Sequence, residues 1–157
     1  MSFKKILNLV FVLCSMLVAC NGDSETKSNT VFANNSEHRI LITSYYHGMI
    51  MSNSEVDIAI AQSKSFSRTE RGLPKGGTSY ASYFLPDSII VTYDGAIEQL
   101  HGGYKNTGSV KGINHEDPRN LLNEKNYVLN IIESKKRSQE LEYVYTFTKD
   151  DYEQALK

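Results

Sequence analysis

Apolar residues in this chain recur at every second position, in short runs punctuated by turn residues, and this period of two confines the fold to β-structure. The alternation is clearest in Glu55 to Ala61, where Val56, Ile58 and Ile60 are expected inward and Glu55 and Asp57 outward. Arg39 to Tyr46 is rich in β-branched and aromatic residues, with Ile40 and Ile42 on one face and Leu41 and Tyr45 on the other. Asn34-Asn35-Ser36 is a turn cluster separating it from a first short strand, Thr30 to Ala33. Lys64 to Glu70 has only Phe66 to bury and reads as an edge strand.

Ser88 to Tyr93, with Ile89, Ile90 and Val91, reads as a central strand. Asp94-Gly95 then joins it to Ala96–His101, and Asp-Gly between two such runs favours a type I′ hairpin because both central residues need positive φ. Tyr127 to Glu133 and Leu141 to Phe147 pair around the polar tip Ser134–Glu140, with Leu141, Tyr143, Tyr145 and Phe147 sharing a face. Thr148 followed three residues later by Asp151 is a capping pattern. It predicts a short helix, Lys149 to Leu156, buried through Tyr152, Ala155 and Leu156. Two stretches are irregular: Arg71–Ser79 and Gly102–Asn126, the latter with one short strand around Ser109–Ile113 and a helical turn at Pro118–Asn123. The expected fold is all-β, a two-sheet antiparallel sandwich of Ig-like or transthyretin-like topology with a short C-terminal helix; a small barrel is the alternative.

The N-terminus is different in kind. Met1 to Lys5 is a short basic segment, and Ile6 to Val18 is apolar apart from Asn8 and Ser15, too short for the ~20 residues of a transmembrane helix but suited to a secretory signal. It closes on Leu17-Val18-Ala19-Cys20, which resembles the lipobox of bacterial lipoproteins. The resemblance implies cleavage before Cys20 and diacylation of its sulfur. Two or three acyl chains make such an attachment effectively permanent, where a single chain binds only marginally. Asn21 to Thr30 holds no apolar side chain. The expected organisation is therefore a signal peptide at 1–19, a lipidated Cys20 with a flexible tether to residue 30, and one β-sandwich domain at 31–157. Cys14 leaves with the signal, so the mature domain has no thiol for a disulfide, a thiolate metal site or thiol catalysis.

The whole chain resembles the small lipoproteins of unknown function common in the Bacteroidetes. The features that carry this are the lipobox, the Asn34-Asn35-Ser36 entry, the Val91-Thr92-Tyr93-Asp94-Gly95 hairpin and the ending Tyr145-Thr146-Phe147-Thr148-Lys149-Asp150-Asp151-Tyr152. The family brings no known catalytic residue. Asn21 in place of the Asp that holds enteric lipoproteins in the inner membrane implies the outer membrane, on its periplasmic face or at the cell surface. Asp23 and Glu25 partly match the acidic residues that accompany outward display.

Chemistry is sparse. With 17 basic and 18 acidic residues, two of the basic ones lost with the signal, there is no electrostatic footprint for nucleic acid. The one basic cluster, Lys135-Lys136-Arg137, is expected as a solvated loop tip. For a metal, the candidates are His101, His115 and Asp117, from a hairpin end and a loop that would have to converge; His38 and His47 complete the histidines, and no pair has i, i+2 or i, i+4 spacing. No serine lies in a Gly-x-Ser-x-Gly elbow, Pro74-Lys75-Gly76-Gly77 is an incomplete phosphate loop, and no cofactor is implied. Tyr45, Tyr46, Tyr80 and Tyr83 supply amphipathic contact area for a sugar or protein. The sequence thus predicts a membrane-anchored, non-enzymatic display or interaction module binding a protein or glycan. The alternatives are an envelope hydrolase with its site in the 71–79 and 102–126 loops, or a subunit of a surface fibre.

Overall fold

The computed structural model describes residues 24–72, 79, 85–102 and 112–157. The chain is all-β, with two sheets enclosing one core and a short C-terminal helix. In chain order the strands are β1 (Glu25–Asn34), β2 (Ile40–Tyr46), β3 (Met49–Ile50), β4 (Val56–Ile58), β5 (Ser63–Arg71), β6 (Ser88–Tyr93), β7 (Ile97–Gly102), β8 (Gly112–Ile113), β9 (Val128–Ser134) and β10 (Ser138–Phe147), followed by helix α1 (Lys149–Ala155). The first sheet has the order β5-β1-β10-β9, and the second β3-β2-β6-β7-β8 with β4 also paired to β2. Phe32, Leu141, Tyr143, Tyr145 and Phe147 from the first sheet meet Ile40, Ile42, Val56, Ile58, Ile89, Val91 and Tyr93 from the second in one buried cluster.

Both sheets are mixed. β1 runs parallel to β10 from Glu25 opposite Ser138 to Asn34 opposite Phe147, and β8 runs parallel to β7. Gly112 makes the second pairing sterically possible, because a Cβ there would lie 2.6 Å from the Leu100 carbonyl oxygen.

The first strand corrects the expected tether. Glu25 to Thr30, read as flexible chain, form the first six residues of β1, which is flanked on both sides by β10 and β5. Thr26, Ser28 and Thr30 are its buried positions and Glu25 and Lys27 its exposed ones, so the alternation exists but is written in hydroxyls. Hydrogen bonds to two neighbouring strands satisfy its backbone, and its small hydroxyl side chains are buried at the alternate positions. Two apolar assignments also change. Ile60 is exposed, because β4 stops at Ile58 and the chain turns through Ala61 at φ 57 into β5. Leu156 is exposed as the C-cap of α1, while Tyr152 and Ala155 pack on the core as expected.

The corner after β1 is built by Asn34, which is fully buried. Its Nδ2 donates to the carbonyls of His38, Ile58 and Ala59, and its Oδ1 accepts from the Ser36 amide and hydroxyl. The Asp94-Gly95 turn has φ of 51 and 72, and the Ala96 amide donates to the Tyr93 carbonyl.

The stretch from β8 to β9 is irregular yet ordered by asparagines. Asn120 Nδ2 donates to the carbonyls of Gly102 and Ile113 while its Oδ1 accepts from the Leu122 amide; Asn126 donates to the carbonyls of Asp117 and Asn120. These amides satisfy carbonyls at the ends of β7 and β8 and within the irregular stretch itself. The helical turn falls at Glu124–Asn126, capped by Asn123, and not at 118–123.

Candidate functional site

The three residues proposed for a metal do not gather into a site. His101 lies on β7 with its ring turned into the core, 1% exposed. Its Nδ1 accepts from the Leu121 amide at 3.2 Å, which fixes that nitrogen as unprotonated, and burial pushes the ring down to about 3. A ring sealed in this way is neither a ligand for an ion from solvent nor a base for a surface substrate. Asp117 closes its own turn by accepting from the Asn114 amide at 2.7 Å, and His115 Nδ1 lies 3.5 Å from Glu116. Among the described residues no group of three or more His, Cys, Asp or Glu is placed to hold a metal ion.

Among the described residues, the two irregular loops considered for a hydrolase meet at Ser79 and Glu124. The Ser79 amide and hydroxyl both donate to Glu124 Oε1, at 3.2 and 2.8 Å. Residues 73–78 and 103–111, Tyr80, Tyr83 and Cys20 with the segment before it lie outside the described residues. Of the other two tyrosines, Tyr45 is half-buried and Tyr46 exposed beside His47, whose amide donates to Asp87.

A groove of about 380 Å³ on the outer face of the second sheet is lined by Arg39, Leu41, Asp57, Thr92, Asp94 and Gly95. Its charges are paired within the protein. Arg39 forks onto Asp57, with Nε donating to Oδ1 at 2.9 Å and Nη2 to Oδ2. Asp94 accepts from the Arg39 amide at 2.9 Å and lies 2.6 Å from His38 Nδ1, contacts that hold its carboxyl below the usual range. His38 in turn stacks on Tyr152 with ring centroids 3.6 Å apart. This network ties α1 to the β6–β7 turn and engages the groove's charged side chains in contacts within the protein.

The feature that stands out is an edge. β9 is exposed at all seven positions, and Val128, Leu129, Ile131 and Ile132 keep 64, 50, 62 and 57% of their surface in contact with solvent. The register sets Leu129 opposite Tyr143 and Ile131 opposite Leu141, both core-facing positions of β10. The face therefore continues outward past the point where the second sheet covers it. Between Ile131 and Glu133 the pairing shifts, so Ile132 is the extra residue of a bulge. Among the described residues β9 pairs only with β10, and an edge strand of this kind offers alternate N–H and C=O groups to any strand that arrives. The opposite edge is guarded: β5 carries Lys64, Arg68, Glu70 and Arg71 among serines. The sequence reading identified β9 as a paired strand but not as an uncovered one, since an aliphatic run of this kind is also what a buried strand requires.

The chain matches no family model, no curated protein and no solved structure.

Proposed function

We propose that this protein is a lipid-anchored, non-enzymatic interaction module of the bacterial envelope, held by Cys20 and receiving an extended segment of a partner protein as an added strand on β9. The observation that carries the reading is the contrast between the two edges of the first sheet: charged at β5, aliphatic and open at β9. Edge addition draws affinity from main-chain hydrogen bonds and specificity from pockets for alternate side chains. The straight stretch before the bulge, Val128 to Ile131, is where such a strand would pair. The signal segment and the Leu17–Cys20 lipobox motivate the anchor, in the outer membrane, facing the periplasm or the exterior.

The same edge gives the fibre-subunit reading some support, because copies joined edge to edge would also use β9. The hydrolase reading, which needs His101 or His115 as a base, loses His101 to burial.

The test is site-specific photo-crosslinking in intact cells, with the probe at Leu129 on β9 or at Ser67 on β5. The reading expects a discrete protein adduct at Leu129, none at Ser67, and loss of the adduct when Cys20→Ser releases the chain from the membrane. An adduct the size of two copies favours the fibre. Equal labelling at both edges, or none at either, contradicts the edge-addition reading.

A further inference from the structure

The basic hairpin tip, expected to be an idle loop, sits at the point where the chain enters the domain. The parallel β1–β10 register puts Glu25 opposite Ser138, and the Glu25 amide donates to the Arg137 carbonyl at 2.9 Å. On the other side Glu25 lies opposite Arg71, and the Gly72 amide donates to the Ser24 carbonyl at 2.9 Å. Ser24 and Glu25 are thus enclosed between Arg71 and the tip Lys135-Lys136-Arg137. All three tip residues are exposed.

Charge at this end is unbalanced towards the positive. Lys135 pairs with Glu133 at 2.5 Å and Arg71 with Glu25 at 3.1 Å, while Lys136 and Arg137 have no ion-pair partner among the described residues. Lys27 is engaged by Glu140 and Arg68 by Glu70, and Asp23 in the preceding stretch is a further acid. Ile132, exposed at the bulge of β9, is the aliphatic of that strand nearest the tip in sequence. Cys20 precedes Glu25 by five residues, which extended reach no further than about 18 Å. With the expected tether shortened by β1, a lipid on Cys20 keeps this end of the domain close to the head groups.

We propose that the end formed by Lys135, Lys136, Arg137 and Arg71 docks on the phosphate groups of anionic lipids in the membrane that holds Cys20, with Ile132 on the side facing the interface. The proposal rests on the lipid-anchor reading of Cys20. Basic residues near an anionic leaflet each add attraction that decays within a Debye length, and lipidation with a basic patch is a recognised two-signal anchor. Docking by this end fixes the domain's orientation: the strands stand away from the surface, and the corner carrying α1 and the Asp94-Gly95 turn points outward.

The tip contains three trypsin sites, which supply the test. Native full-length lipoprotein is reconstituted into vesicles of phosphatidylcholine alone or of phosphatidylcholine with phosphatidylglycerol, and cleavage at Lys135–Arg137 is timed. Flotation in high salt reports the acyl anchor separately. The expected result is flotation with both vesicles, with cleavage about tenfold slower on the anionic ones and the difference erased by salt. Equal cleavage rates on the two vesicles overturn the docking even when the chain floats. Protection that survives high salt overturns the headgroup contact as its cause. Failure to float overturns the anchor, and the docking with it.

Discussion

Arg119 clasps Asp151 across the end of the sandwich, with Nε 2.6 Å from Oδ1 and Nη2 2.5 Å from Oδ2. The same Nη2 donates to the Thr146 carbonyl, the Tyr145 hydroxyl donates to the Arg119 carbonyl, and the guanidinium lies 4.5 Å over the Tyr145 ring. Asp151 also accepts from the Thr148 amide and hydroxyl, so one buried carboxylate both caps α1 and anchors it to the loop before β9. Arg119→Met strands that carboxylate and is expected to cost about 3 kcal/mol, towards the low end for a broken buried pair because Arg119 is one-third exposed. Urea unfolding of Arg119→Met, Asp151→Ala and the double variant checks this. The double variant should lose less than the sum of the two, and strict additivity would show that the clasp carries no coupling.

His101 gives the fold a pH dependence of predictable sign. Its folded-state value of about 3 lies below the ordinary 6.5, so between those values the unfolded chain binds a proton that the folded chain refuses. This contribution to stability is complete above pH 6.5 and declines as pH falls towards 3, by at most about 1.4 kcal/mol per unit. His101→Asn keeps an acceptor for the Leu121 amide but does not titrate. Comparing urea midpoints at neutral and mildly acidic pH, the variant should lose less on acidification than the natural protein. An equal loss in both would remove His101 as the cause.

Asn120 carries more than its size suggests. Asn120→Ala leaves the Gly102 and Ile113 carbonyls and the Leu122 amide without the side-chain partners they now have. Buried groups stripped in this way cost about 1–3 kcal/mol each when nothing replaces the bond. Thermal unfolding should show a loss of about 3 kcal/mol, and hydrogen exchange should quicken at Gly112–Ile113 before it does at β6. Uniform acceleration across both sheets would contradict a local role.

Leu129→Lys with Ile131→Lys separates binding from folding at β9. Both side chains are at least half exposed, so the pair should change stability by no more than about 1 kcal/mol, surface substitutions being worth about 0.5 each. With the probe moved to Asn130, also exposed on β9, the pair should abolish crosslinking there, because lysines on an edge strand disfavour strand addition. Unfolding of the double variant under conditions where the natural protein is stable would show that these residues are part of the core.

Much of the fold is legible where a residue's role is local. Asp94-Gly95 specifies its own turn, Thr148 and Asp151 their own cap, and the alternation of Leu141, Tyr143, Tyr145 and Phe147 its own buried face. What escapes is whatever depends on a distant partner. β1 looks polar until β10 and β5 flank it, and its parallel pairing joins residues more than a hundred positions apart. His101 offers a ligand in sequence and is claimed by the Leu121 amide in the fold. The aliphatics of β9 announce a strand, but whether a second sheet covers them is a property of the whole topology.

The mass of the N-terminal peptide of the native protein, taken from the membrane fraction, bears most directly on the central claim. The account predicts a chain beginning at Cys20 and heavier by a diacylglyceryl group, with Cys20→Ser appearing in the soluble fraction. A native chain that begins at Met1, unmodified at Cys20 and free of membrane, would contradict it.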